Sequence, residues 1–93
     1  MDNLMDLIFG IVYNDHDSDL IGRDQVDDYT IDTCLTADQG YETAVLVADH
    51  NMVIVARYAT REEAVLGHYE WTRKCKSHPV SAYSVQCECD IPF

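Results

Sequence analysis

Two runs rich in β-branched residues flank a short polar turn in the middle of the chain, and this pattern limits the possible folds most strongly. The runs span residues 41–48 and 52–58, and the polar residues 49–51 separate them. Runs of this composition around a short turn are typical of a β-hairpin. In the second run, apolar residues fall on both faces, so we expect a central strand that is covered on both sides.

The hairpin leads into a helix that begins with a capping box. Thr60 and Glu63 have the spacing at which the Thr60 hydroxyl meets the Glu63 amide while the Glu63 carboxylate reaches back. Pro79 cannot continue a helix, so the sequence predicts a helix over about residues 60–76. We interpret His68 as a hydrogen-bonded core histidine and not as a functional site. The apolar stripe of this helix comprises Ala64, His68, Trp71 and Cys75.

These elements predict an α+β fold with a small antiparallel sheet packed by one main helix. We expect the order β-β-β-α-β, with strands over residues 29–36 and 81–89 flanking the hairpin and helix. Residues 4–13 are an apolar segment that predicts a short helix or strand, and residues 14–28 are expected to form an acidic loop. A chain of 93 residues has room for one core, so a single domain over residues 1–93 is expected.

The charge of the chain is strongly negative and unevenly distributed. The net charge is −11, and residues 1–40 hold ten aspartates and one arginine. Such a field repels nucleic acids and attracts basic protein surfaces. We therefore expect a partner with a basic, nucleic-acid-binding surface, although charge that serves only solubility is an equal alternative. The predicted partner-binding residues are Asp15, Asp17, Asp19, Asp24, Asp27 and Asp28.

The amino terminus lacks the features of a secretory signal. Residues 1–13 have no basic region and no small-residue cleavage site. The longest apolar run, residues 7–13, is far shorter than the roughly 20 residues that cross a bilayer. We therefore expect a cytoplasmic protein that does not bind membranes, in which cysteines are thiols or metal thiolates and not disulfides.

Cysteine and histidine residues near the carboxyl terminus are spaced like two pairs of zinc ligands. Zinc in structural sites takes four sulfur or nitrogen ligands, usually as two closely spaced pairs. In a strand, residues 87 and 89 project from the same face, so the two pairs are expected to converge. The alternatives are buried thiols or, less favoured, disulfides, and Cys34 is another candidate ligand. The predicted set for a structural zinc ion is Cys75, His78, Cys87 and Cys89.

No recognisable catalytic motif is present, so we expect a binding protein and not an enzyme. The four glycines are isolated, which excludes a glycine-rich phosphate loop. Ser77 and His78 adjoin a proline and lack the strand-turn-helix context of a nucleophile elbow.

Four motifs together resemble a group of small acidic proteins encoded by phages and prophages of Firmicutes. They are TIDTC at 30–34, GYETA at 40–44, VIVARY at 53–58 and the EEAxxGHxxW pattern at 62–71. The resemblance spans residues 29–72 and implies the hairpin followed by the helix; most members have no assigned activity. In size, charge and predicted metal site the chain is also similar to anti-CRISPR proteins that act on type II (Cas9) effectors.

This resemblance implies an inhibitor that blocks DNA loading by Cas9 through its acidic surface. The alternative is a phage structural or regulatory accessory module without inhibitory activity, in which an apolar hairpin edge mediates homo-oligomerisation.

Overall fold

The computed structural model describes residues 19–48 and 51–93. The apolar segment at 4–13 and part of the predicted acidic loop therefore lie outside the described residues. The elements are, in chain order, β1 (Leu20–Val26), β2 (Tyr29–Leu35), β3 (Tyr41–Val47), β4 (Met52–Tyr58), α1 (Arg61–Cys75), β5 (Ser81–Ser84) and β6 (Cys89–Pro92).

Strands β1 to β4 form an antiparallel sheet in chain order, with α1 against the sheet and β5 and β6 paired in a separate hairpin. The predicted α+β class, the hairpin at 41–58 and the main helix are confirmed. Among the described residues, no helix has the length and apolar character needed to cross a bilayer.

Residues 20–26 are a strand, and the prediction of an acidic loop for this stretch was wrong. Arg23 pairs with Asp32 of β2 in the strand register, and its guanidinium Nε lies 2.6 Å from the Asp32 carboxylate. Gln25 lies opposite Thr30 and accepts a hydrogen bond from its hydroxyl at 2.7 Å. Cross-strand pairs of this kind stabilise a strand whose intrinsic preference is weak.

The prediction of a central position for residues 52–58 was also wrong, because β4 is the last strand in the order of the sheet. Its two faces are nevertheless buried, as the apolar pattern indicated. Val53 and Val55 belong to the main core, whereas Ile54 packs with Ala44 and Val85 in a second cluster. Coverage of both faces produces the same sequence pattern at an edge as in the centre of a sheet.

The carboxyl-terminal segment is a hairpin and not the single strand predicted over residues 81–89. A turn at 85–88 separates β5 from β6. The Ser84 hydroxyl accepts hydrogen bonds from the Gln86 and Cys87 amides, both at 3.2 Å, and Glu88 has a φ of 60°. These contacts reverse the chain, so the element order is β-β-β-β-α-β-β.

The helix begins as the capping box predicts. The Glu63 amide donates to the Thr60 hydroxyl at 3.1 Å, and the Glu63 carboxylate accepts from the Thr60 amide at 3.3 Å. Acidic residues lie in the first turn and basic residues in the last, as the helix dipole favours. Ala64, His68 and Cys75 are the buried residues of the helix, and Trp71 packs partly buried against the core. This placement sets the rotation of α1 about its axis.

Candidate functional site

A chain of polar side chains runs from the surface of β1 through the interface between α1 and the sheet. His68 lies at its centre, with Nε2 2.6 Å from an Asp24 carboxylate oxygen and Nδ1 2.7 Å from the Thr33 hydroxyl. The Thr33 hydroxyl is also 2.6 Å from that of Thr43, which lies 3.0 Å from the Tyr58 hydroxyl. We call these five residues the His68 network.

The direction of the hydrogen bonds follows from the acceptor at one end. An ionised carboxylate can only accept, so Nε2 of His68 donates to Asp24. When the imidazole is neutral, Nδ1 then accepts from the Thr33 hydroxyl. The Thr33 oxygen in turn accepts from the Thr43 hydroxyl, and the Thr43 oxygen accepts from the Tyr58 hydroxyl. Burial is the main cause of a raised pKa for Tyr58, which keeps that hydroxyl protonated as the donor at the end of the network.

Two glycines make room for the network. A Cβ on Gly22 of β1 would lie 2.7 Å from Nε2 of His68, so this glycine lets the strand approach the imidazole. A Cβ on Gly67 of α1 would collide with the ring and hydroxyl of Tyr58. Both positions therefore require glycine for close approach and not for a special backbone conformation.

The sequence of carboxylate, imidazole and hydroxyl matches the order of groups in a hydrolytic triad. The Thr33 hydroxyl, however, is completely buried and already contacts Thr43. A nucleophile must be reached by its substrate, and this hydroxyl cannot be. The His68 network is therefore a structural element of the core, and the interpretation of His68 as a hydrogen-bonded core histidine is confirmed. Its partners are not predicted by the sequence, because residues 14–28, which include Asp24, have the composition of an acidic loop.

The structure describes four of the six aspartates predicted to contact a partner, and their surroundings differ. Asp24 is 55% exposed but is held by His68, and Asp27, which is 62% exposed, lies 3.1 Å from the His78 imidazole. Asp28 is exposed at the β1–β2 turn, and its side chain makes no hydrogen bond or ion pair with the residues that the structure describes. Asp19 is half-buried before β1. The other two, Asp15 and Asp17, lie outside the described ranges.

The predicted zinc ligands occupy three different environments. Cys75 is fully buried in the main core, and burial raises the pKa of its thiol to about 11, which disfavours the thiolate that a metal requires. Cys87 lies in the turn and Cys89 in β6; they are joined by a disulfide with Cα atoms 5.5 Å apart. His78 is exposed, with a φ of 55°, and contacts Asp27. Cys34 is buried in β2.

The sequence predicts thiols or metal thiolates and not disulfides, and for Cys87 and Cys89 this prediction was wrong. The turn at 85–88 brings these neighbours to a Cα separation that permits a disulfide. Within residues 19–48 and 51–93, no three potential ligands come together, and the four predicted ligands are not gathered at one point in this arrangement. Zinc binding remains a prediction.

That prediction can be decided by measuring metal content after purification under reducing conditions. A structural site predicts about one zinc per chain and a melting temperature that falls on chelation, because binding energy is part of folding energy. Cys87→Ser should then abolish binding, whereas Asp38→Asn, a change in an exposed turn, should not. Metal-free protein with an unchanged melting curve after chelation would contradict the zinc site.

Comparisons of the chain with protein-family models, curated proteins and solved structures found no match. No relative therefore supplies a function, and a proposed function has to rest on the surface and the composition of the chain itself.

Proposed function

We propose that this chain is a phage-encoded binding protein that inhibits a host nucleic-acid-handling defence protein in the cytoplasm of the host bacterium. The preferred target is Cas9, and the step blocked is DNA loading. The observation that carries the proposal is a net charge of −11 in which residues 1–40 hold ten of the acids and a single arginine. Binding and not catalysis is the activity, with the predicted zinc ion in a purely structural role.

The acidic turn between β1 and β2 supports this proposal. Asp27 and Asp28 lie at its tip, and Asp27 has a φ of 52°, a conformation in which aspartate is tolerated. An exposed turn can enter a groove that is lined by lysine and arginine and that otherwise holds nucleic acid. Attraction between such surfaces accelerates association and weakens as salt is added.

Asp28 is the most informative position because its side chain makes no hydrogen bond or ion pair within the described part of the chain. Asp24 and Asp27 contact histidines, so changes there also alter contacts within the protein. A loss of binding in an Asp28 variant of unchanged stability therefore reports the interface itself.

A second candidate is a phage accessory interaction module without inhibitory activity. The observation in its favour is a set of exposed apolar residues on α1, comprising Val65, Leu66 and Tyr69. A surface of this kind suits association between proteins and is independent of the acidic turn.

The test is target-DNA binding by a Cas9–guide complex in the presence of the protein, at two salt concentrations. We expect loss of DNA binding that is relieved by salt, and we expect Asp28→Asn to require about threefold more protein for the same effect. Glu70→Gln is the matched control, since it removes one exposed acid from α1.

No effect of the protein on DNA binding would overturn the loading block for that effector. Inhibition that is equal for Asp28→Asn and Glu70→Gln would overturn the role of the acidic turn. In the first case, capture of partners from host lysate would distinguish another target from the accessory module.

A further inference from the structure

The outward surface of α1 carries a stripe of four exposed residues in a charged–apolar–apolar–charged order. Leu66 and Tyr69 are each 66% exposed, and Glu62 and Arg73 are exposed at the two ends. Their spacings of 4, 3 and 4 residues keep all four on one side of a helix. We call these residues the outer stripe.

The outer stripe lies on the side of the helix that faces away from its buried residues. At 3.6 residues per turn, the mean direction of the outer stripe is about 150° around the axis from that of the buried residues Ala64, His68 and Cys75. The core therefore fixes α1 with the outer stripe facing away from the sheet. Two large apolar side chains on this face have no role in the packing of the described chain.

We propose that the outer stripe binds the outer stripe of a second copy of this chain, with the two helices antiparallel. The stripe is symmetric about its midpoint, so an antiparallel copy places Leu66 opposite Tyr69 and Glu62 opposite Arg73. Each contact occurs twice, as a two-fold axis requires. The 4-3-4 spacing is that of the core positions of a coiled coil, which pair in this way between antiparallel helices.

Charge complementarity selects the antiparallel arrangement. In a parallel pair, Glu62 would face another Glu62 and Arg73 another Arg73. In the antiparallel pair, each Glu62 carboxylate meets an Arg73 guanidinium of the other copy. The two ion pairs are about 16 Å apart along the helices, and the apolar contacts lie between them. Opposite charges at both ends of a two-fold contact define its register as well as its direction.

The surface of α1 also provides a place for the larger side chain. A depression of about 350 Å³ is lined by Arg61, Glu62, Val65 and Leu66. In the proposed register, Tyr69 of the second copy lies over this region. The aromatic ring would fill the depression while its hydroxyl stays at the edge of the contact, in water.

The contact involves one face of one helix, so we expect a weak and reversible dimer. It goes beyond the proposed inhibitory function, because the acidic turn and the outer stripe share no residue.

Sedimentation velocity over a concentration series, from low to high micromolar, tests the dimer. We expect concentration-dependent dimerisation of the unmodified protein. Leu66→Gln should raise the dissociation constant by at least about tenfold, because both copies lose an apolar contact. Val80→Gln removes the most exposed large apolar side chain of the described residues, at 82%, and is the matched control that should change nothing.

A charge exchange separates the proposed contact from effects on the helix itself. Glu62→Arg and Arg73→Glu should each weaken the dimer about tenfold, because each creates two like-charge pairs. The double variant should restore the dimer to within about twofold. Both changes oppose the helix dipole, so an effect that acted only through helix stability would be greatest in the double variant.

A protein that stays monomeric up to high micromolar concentration would overturn the proposal. So would a dimer that Leu66→Gln leaves intact, or one that both single charge variants weaken and the double variant fails to restore. Far-UV circular dichroism of each variant, compared with the unmodified protein, checks that α1 remains helical.

Discussion

Replacing His68 with alanine is expected to lower the free energy of unfolding by about 2–4 kcal/mol, from the loss of two hydrogen bonds and of buried packing. His68 is 92% buried and joins β1 to β2 through Asp24 and Thr33. The Thr33 hydroxyl is fully buried and would lose one of its two hydrogen-bond partners. Chemical denaturation monitored by circular dichroism measures the difference.

His78→Ala is the control for this prediction, because His78 is exposed and its side chain contacts only the surface carboxylate of Asp27 and, at a ring-centroid distance of 6.0 Å, the ring of Tyr29 among the described residues. We expect that change to cost no more than about 0.5 kcal/mol. His68→Gln, which keeps a hydrogen-bonding side chain, should fall between the two. If His68→Ala and His78→Ala had equal effects, the His68 network would not be the stabilising element described above.

Replacing Gly67 with alanine is expected to destabilise the protein by about 1–3 kcal/mol, although alanine is the better helix former. The added Cβ would occupy space that the Tyr58 ring fills. The ring could only move by giving up its hydroxyl contact with Thr43. Steric exclusion should therefore outweigh the propensity gain of about 1 kcal/mol.

The sign of this effect should reverse when Tyr58 is removed. In a Tyr58→Ala background, Gly67→Ala meets no ring and should stabilise the protein by up to about 1 kcal/mol. A double-mutant cycle from denaturation curves measures the coupling. Additive effects of the two substitutions would show that the ring does not occupy the space beside Gly67.

The parts of the fold that the sequence predicts are those whose signals are local. The hairpin at 41–58 has its turn residues and strand composition in one stretch, and the helix has its capping box within four residues. Both were predicted to within one or two residues. These elements need no information about distant partners.

Strand β1 could not be predicted because its stabilising contacts come from elsewhere in the chain. Arg23 and Asp24 are polar residues that favour a loop, and the contacts that stabilise them in a strand are made with Asp32 and His68. Tertiary contacts of this kind override weak strand preference. The His68 network depends on this strand, so its carboxylate partner was missed while its histidine was assigned correctly to the core.

The carboxyl-terminal hairpin was missed for a different reason. Its turn has no glycine or proline, and Glu88 adopts a positive φ that is uncommon for such a residue. The spacing of Cys87 and Cys89 predicts one strand with both thiols on the same face. The Ser84 hydroxyl accepts the hydrogen bonds that stabilise the turn, but in the sequence this serine cannot be distinguished from a serine within a strand.

The disulfide between Cys87 and Cys89 closes a loop of three residues. A loop this short restricts the unfolded chain very little, so its contribution is at most about 1–2 kcal/mol. It joins no two elements that the chain does not already join, and Ser84 holds the same turn by hydrogen bonds. The fold therefore does not depend on oxidising surroundings: the protein can keep its architecture whether the thiols of Cys87 and Cys89 are reduced or oxidised.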